Sequence, residues 1–132
     1  MKNIGLFLGM MWKIIPVICI SFIGLIACEK YSFEPPKADP GKTYSFQDDI
    51  QKIFTQKCIA CHGTGKNSPN LDAGSAYNSL TTGGYISSDP VNSPEKSLLY
   101  IQITTNSGHK TILNDLEKQS ILEWIRQGAL NN

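Results

Sequence analysis

Cys58-Ile59-Ala60-Cys61-His62 constrains this chain more than any other stretch. Two thiols three residues apart, followed at once by an imidazole, have the spacing of a covalent haem attachment site of the c type. Each thiol can add to one of the two vinyl groups on a porphyrin edge. The adjacent histidine then sits under the iron as its proximal ligand. Two other readings share the Cys-x-x-Cys core. A thioredoxin-like redox pair should lie near a βαβ pattern, and none is visible. A zinc site needs four ligands, and Cys58, Cys61, His62 and His109 form no familiar zinc spacing. The sequence therefore predicts one covalent haem c, held by Cys58, Cys61 and His62.

The N-terminus reads as a targeting segment. Lys2 and Lys13 are its charges, and an apolar run extends from Ile14 to Ile26. That run is about 13 residues long, against the roughly 20 a transmembrane helix needs. It ends in Leu25-Ile26-Ala27-Cys28, which resembles the lipobox of bacterial lipoprotein precursors. The resemblance implies cleavage before Cys28, with lipid on its sulfur. Two or three acyl chains make such anchoring stable where a single chain does not. A start at Met10 or Met11 would give a more ordinary signal length and the same mature chain. Of the four cysteines, Cys19 leaves with the signal, Cys28 carries lipid, and Cys58 and Cys61 remain for haem.

The expected organisation is a signal peptide over 1–27, a lipidated tether over 28–44 and one domain over 45–132. The mature chain of about 105 residues suffices for one domain. With Lys2 and Lys13 gone, the 11 acidic residues slightly outnumber the basic ones. Such a balance lacks the basic patch a nucleic-acid partner would call for. Pro35, Pro36, Pro40 and Gly41 mark the tether as extended and semi-rigid.

Helical signals dominate the rest. Ser45 can cap a first helix, with Asp48 reaching back as in a capping box. Phe46, Ile50, Ile53 and Phe54 recur at helical spacing and lead into Cys58. Gly63 to Asn92 is loop-rich, with a short helix over Ala76 to Leu80 capped by Asp72 or Ser75. Ser93-Pro94 opens another helix that should run to about Ile103. Asn114 and Glu117 start the last helix, Ile121, Leu122, Trp124 and Ile125 form its apolar face, and Gly128 closes it. Three to four helices, long loops and few strand signals predict an all-α fold. Its core is small for a chain of this length, so the form without haem is expected to be poorly folded.

From Ser45 to Ala129 the chain resembles a small class I cytochrome c. The helix before Cys58, the Cys58-Cys61-His62 motif, Gly63, Pro69-Asn70-Leu71, and the terminal helix with Trp124-Ile125 and Gly128-Ala129 occur in that family's order. The segment from Asp89-Pro90 to Leu98-Leu99-Tyr100 is similar to a subset of membrane-associated bacterial domains of this kind. The resemblance implies that the carbonyl of Pro69 accepts a hydrogen bond from His62, orienting the ring. It also implies a distal methionine in the loop before the terminal helix. Here the sequence departs from the pattern, because Met1, Met10 and Met11 all fall in the signal segment. His109 stands about where that methionine would be, which makes it the candidate distal ligand; neighbouring Lys110 is a lesser alternative. Two imidazoles should leave the haem at a lower potential than a methionine-ligated relative.

These readings lead to a membrane-anchored electron-transfer protein rather than an enzyme. It would work with redox proteins at the membrane surface, facing the periplasm or the cell exterior. Glu29 after the lipidated cysteine leans toward the outer membrane. Two alternatives remain at the level of sequence. A displaceable His109, flanked by Gly108, would make a gas sensor or a peroxidase-like site. A domain that docks a larger surface complex would need no redox role.

Overall fold

The computed structural model describes residues 37–39 and 41–132. The signal segment, Cys19, Cys28, Pro35, Pro36 and Pro40 lie outside the described residues, as do all three methionines. The described residues are helical and contain no strand, with five α-helices: α1 (Gln51–Lys57), α2 (Ile59–His62), α3 (Ala76–Thr82), α4 (Leu98–Thr105) and α5 (Asp115–Arg126). A π-helical turn, Phe46–Ile50, leads into α1, and a 3-10 turn, Pro94–Lys96, precedes α4. No described helix is long and apolar enough to cross a membrane.

Ser45 caps the first turn as its sequence position suggests, and its Oγ accepts the Asp48 N–H at 3.1 Å. The reciprocal arm differs from expectation. Asp49, not Asp48, accepts the Ser45 N–H, at 3.0 Å. The reason is the winding. Ile50 N–H reaches back to Ser45 O at 3.2 Å, five residues away. The widened turn carries the acid one residue further before it lies over the cap. Cys58 then ends α1, its N–H bonded to Phe54 O at 2.8 Å, and its own carbonyl accepts the His62 N–H at 2.9 Å to start α2.

α3 forms where expected but without a side-chain cap. The Asp72 carbonyl takes the N–H groups of Ser75 and Ala76 instead, each at 3.0 Å. The helix expected from Ser93 to Ile103 is interrupted at Ser97, whose backbone is extended. Ser97 is fully buried, and its Oγ accepts the Ser87 N–H at 3.0 Å. A tertiary hydrogen bond thus overrides local helix propensity. α5 carries the complete capping box at Asn114 and Glu117. Its end is closed by Gly128 at φ 97°, a left-handed conformation that favours glycine.

The core centres on Trp124, which is fully buried. The Phe46 ring lies 5.2 Å from it and meets the edge of Tyr77 at 5.3 Å. Ile50, Leu80, Ile121 and Ile125 complete this cluster, all without solvent contact. Each such side chain contributes on the order of 2 kcal/mol of burial free energy. Trp124 Nε1 donates to Leu130 O at 2.9 Å, and Tyr77 Oη donates to Ala129 O at 3.1 Å. These bonds fold the chain end back over the core. Asn132 ties the chain end to the first turn: its side chain accepts the Phe46 N–H and its carbonyl accepts the Ser45 hydroxyl.

The last part of the segment assigned to the tether is docked on this domain. Ala38 and Tyr44 are buried. Ala38 N–H donates to Gln119 Oε1 at 2.6 Å, and Tyr44 N–H donates to Gln127 Oε1 at 2.9 Å. Gln127 answers by donating to Lys42 O at 2.8 Å. Backbone groups with no helix or strand of their own are satisfied by Gln119 of α5 and by Gln127 at its C-terminal cap.

Candidate functional site

The turn that holds Cys58, Cys61 and His62 is stabilised by the loop that follows it. A helix as short as α2 leaves its final carbonyls without intrahelical partners. Lys66 Nζ donates to Ile59 O at 3.3 Å and to Ala60 O at 3.0 Å. Asn67 serves Cys61 O with both its backbone and its side-chain N–H groups, each at 3.2 Å. Leu71 N–H donates to His62 O at 2.6 Å. All four carbonyls of α2 are therefore bonded. Gln51 pins the returning loop to α1, donating to Leu71 O at 3.0 Å. Gly63 permits this close return, since a Cβ there would stand 2.9 Å from Ile59 O.

This wrapping opens a cavity of about 310 Å³ between α1, α4 and the loops before α3 and α5. Cys58, His62, Pro69 and His109 all line it. Four residues drawn from three separate stretches of sequence thus meet at one place. Cys61 does not line the cavity; it is exposed on α2 while Cys58 is half-buried. Cys28 lies outside the described residues. Pro69 is buried and follows a cis peptide bond from Ser68.

The imidazoles of His62 and His109 face the same space with ring centroids 5.9 Å apart and planes inclined at 39°. Metal–imidazole bonds are roughly 2 Å long, so two rings sharing one metal have centroids on the order of 6 Å apart. The Nδ1 atoms of both rings are buried and have no hydrogen-bond partner. A buried polar atom left unpaired costs roughly 1–3 kcal/mol. The bond from His62 to the Pro69 carbonyl, implied by the family resemblance, is not made at Nδ1 here. Two under-satisfied imidazoles at metal-sharing distance fit a group that takes one ligand from each side.

The remaining walls suit a large apolar group. Phe54, Leu71, Leu99, Ile103 and Leu113 are buried and line the cavity, with Leu98 partly exposed beside them. Polar contacts are few: Ser68, Tyr85 and Gln102. An apolar pocket with a few convergent polar groups is the usual form of a cofactor site. A second cleft of about 450 Å³ adjoins α2, lined by Thr55, Thr64, Lys66 and Asp72 among others. It contains no thiol or imidazole.

Burial pushes the Cys58 thiol up to about 11, with the Glu117 and Cys61 charges adding to the effect. Nucleophilic redox cysteines need the opposite shift, toward thiolate at neutral pH. The environment of Cys58 therefore does not favour it as the attacking thiol of a redox pair. Among the described residues, no three His, Cys, Asp or Glu side chains gather as a zinc site would require.

Sequence reasoning missed Ser68, Tyr85 and Gln102 as wall residues. Tyr85 lies in a glycine-rich loop with no periodicity to orient it. Gln102 lies on α4, which is apolar around most of its circumference. Leu99 and Ile103 are buried while Leu98 and Ile101 remain about 40% and 39% exposed. Spacing alone could not say which face of α4 turns inward. No family model, no curated protein and no solved structure matches this chain.

Proposed function

We propose that this chain is a membrane-anchored mono-haem c-type cytochrome that relays electrons. The haem would be bound through Cys58 and Cys61, with His62 as proximal and His109 as distal iron ligand. The reading extends to a class I cytochrome c type of fold and to a lipid anchor on Cys28, on a bacterial membrane and facing the periplasm or cell surface. One observation carries it: His62 and His109, far apart in sequence, stand 5.9 Å apart across the cavity that Cys58 lines.

A bound haem supplies reversible one-electron exchange between Fe(III) and Fe(II). The protein's part is to hold its ligands and exclude water. The capped turn fixes His62 before any cofactor arrives, because the α2 carbonyls are bonded by the chain itself. Apolar walls keep the iron's surroundings of low dielectric. Ligation by two imidazoles leaves no open coordination position for substrate, which suits a relay and not a catalyst. The absence of a thioether ligand favours a potential below that of a His/Met relative. A lipid anchor confines the domain to the membrane surface and raises its encounter rate with anchored redox proteins.

The visible spectrum tests this directly, on the lipid-free domain produced in a host that attaches haem. Low-spin spectra in both oxidation states, unchanged by carbon monoxide, are expected. A high-spin spectrum, or one shifted by carbon monoxide, would remove His109 from the iron and favour a ligand-binding haem.

A further inference from the structure

Gly108 next to His109 invites the idea of a loose loop that lets its histidine swing away. The structure points elsewhere. Gly108 is not among the glycines with a left-handed backbone. Its missing side chain serves a close approach instead: a Cβ there would stand 3.3 Å from Asn106 Oδ1. Asn106 Oδ1 accepts the Gly108 N–H at 2.8 Å. The Asn106 carbonyl accepts the N–H groups of His109 at 3.0 Å and Lys110 at 2.9 Å. Asn106 Nδ2 donates to Gln102 Oε1 at 2.8 Å, one turn back on α4. Gln102 itself lines the cavity. On the far side of the histidine, Lys118 of α5 donates to Lys110 O at 2.7 Å, and Ile112 N–H donates to His109 O at 3.0 Å.

We propose that Asn106, tied to Gln102, is a positioning residue: it clamps the 106–112 loop so that His109 stays in the cavity and is not displaced. This rests on the reading of His109 as an iron ligand and goes beyond it, because it names what decides between a closed relay and a ligand-binding haem. The two rival readings of this chain then differ by a loop equilibrium. An external ligand competes with His109, so its apparent affinity rises with the fraction of molecules in which the loop is open. The Asn106 side chain supplies two hydrogen bonds of that clamp. At the modest net worth of each, their loss should raise the open fraction roughly tenfold.

The test uses the haem-loaded domain in wild-type form and as Asn106→Ala, Asn106→Asp, Gly108→Ala and His109→Ala. Ferrous samples are titrated with carbon monoxide and followed by visible absorption, and amide hydrogen exchange is read at Gly108. His109→Ala should bind carbon monoxide readily, which checks the ligand assignment. Asn106→Ala should bind it at concentrations that leave the wild-type spectrum unchanged, in keeping with a roughly tenfold larger open fraction, with faster exchange at Gly108. Asn106→Asp keeps the acceptor for Gly108, and the Gln102 amide can turn its NH2 toward the new carboxylate, so it should stay close to wild type. Gly108→Ala pushes against Asn106 Oδ1 without altering Asn106, and should move in the same direction as Asn106→Ala; it decides the matter if Asn106→Ala does not fold. Wild-type carbon monoxide response and wild-type exchange in Asn106→Ala and Gly108→Ala, with His109→Ala responsive, would overturn the clamp and leave the ligation standing. A wild type as responsive as His109→Ala would overturn the ligation, and the clamp with it.

Discussion

Asp72 illustrates how single residues brace the site from outside it. Its Oδ2 accepts the Thr64 hydroxyl at 2.7 Å and the Thr64 N–H at 2.6 Å. These bonds favour the charged carboxylate and hold it below the usual carboxylate range, with Lys66 assisting. A group whose folded pKa is depressed adds stability above its unfolded value, near 4, and loses it as the pH falls through the folded value. Thr64→Val removes the hydroxyl half of this arrangement. The variant should be less stable than wild type at pH 7, and the difference should shrink by about pH 3. Urea midpoints at the two pH values measure this; an equal difference at both would show that Asp72 ionisation is not coupled to the turn. His62 and His109 act at the same scale in the opposite sense. Each carries a buried Nδ1 with no hydrogen-bond partner, a cost borne by the fold.

At the scale of elements, α2 is the clearest case of a segment too short to hold itself. Four residues close too few helical bonds to offset their ordering, so the turn depends on Lys66, Asn67 and Leu71 from the loop beyond. Gly63 is the hinge of that return. Gly63→Ala would place a carbon 2.9 Å from Ile59 O, a backbone atom that cannot rotate away. The cost should be about 1–3 kcal/mol, comparable to overpacking in a core. A urea melt within about 0.5 kcal/mol of wild type would mean that the loop relaxes freely, and that the capping of α2 is loose. The first helix teaches a related lesson. Its capping box was legible in Ser45 and the acids after it, but the π-helical winding decided that Asp49 and not Asp48 would complete it.

For the molecule as a whole, the core and the cavity are partly separate. Phe46, Ile50, Leu80, Ile121, Trp124 and Ile125 form the aromatic-centred cluster and do not line the cavity. Phe54, Leu71, Leu99, Ile103 and Leu113 do line it. The sequence led us to expect a poorly folded form without haem, and this division makes the expectation regional. On the proposed haem reading, amide protection in a Cys58→Ala/Cys61→Ala variant should fall in α4 and the 106–112 loop. It should persist longest in α5 around Trp124. Uniform protection at the level of the haem-loaded domain would mean that the cavity walls need no cofactor to order them.

The sequence by itself determined what is local. The Cys58-Cys61-His62 spacing, the capping box at Asn114 and Glu117, the Gly128 stop and the apolar face of α5 depend on residues within a few positions of one another. Their signals survive without knowledge of the fold, and they are enough to specify a helical domain and to nominate a cofactor. Tertiary structure alone decided the rest. Ser97 breaks a helix because Ser87, ten residues earlier, needs an acceptor. Residues 38 and 44 dock because Gln119 and Gln127 reach them across the fold. Tyr85 and Gln102 become cavity walls, and His109 comes to face His62, through packing between elements that no periodicity records. Such contacts are settled by which long-range partners satisfy buried polar groups and fill space, and that is a property of the whole chain at once.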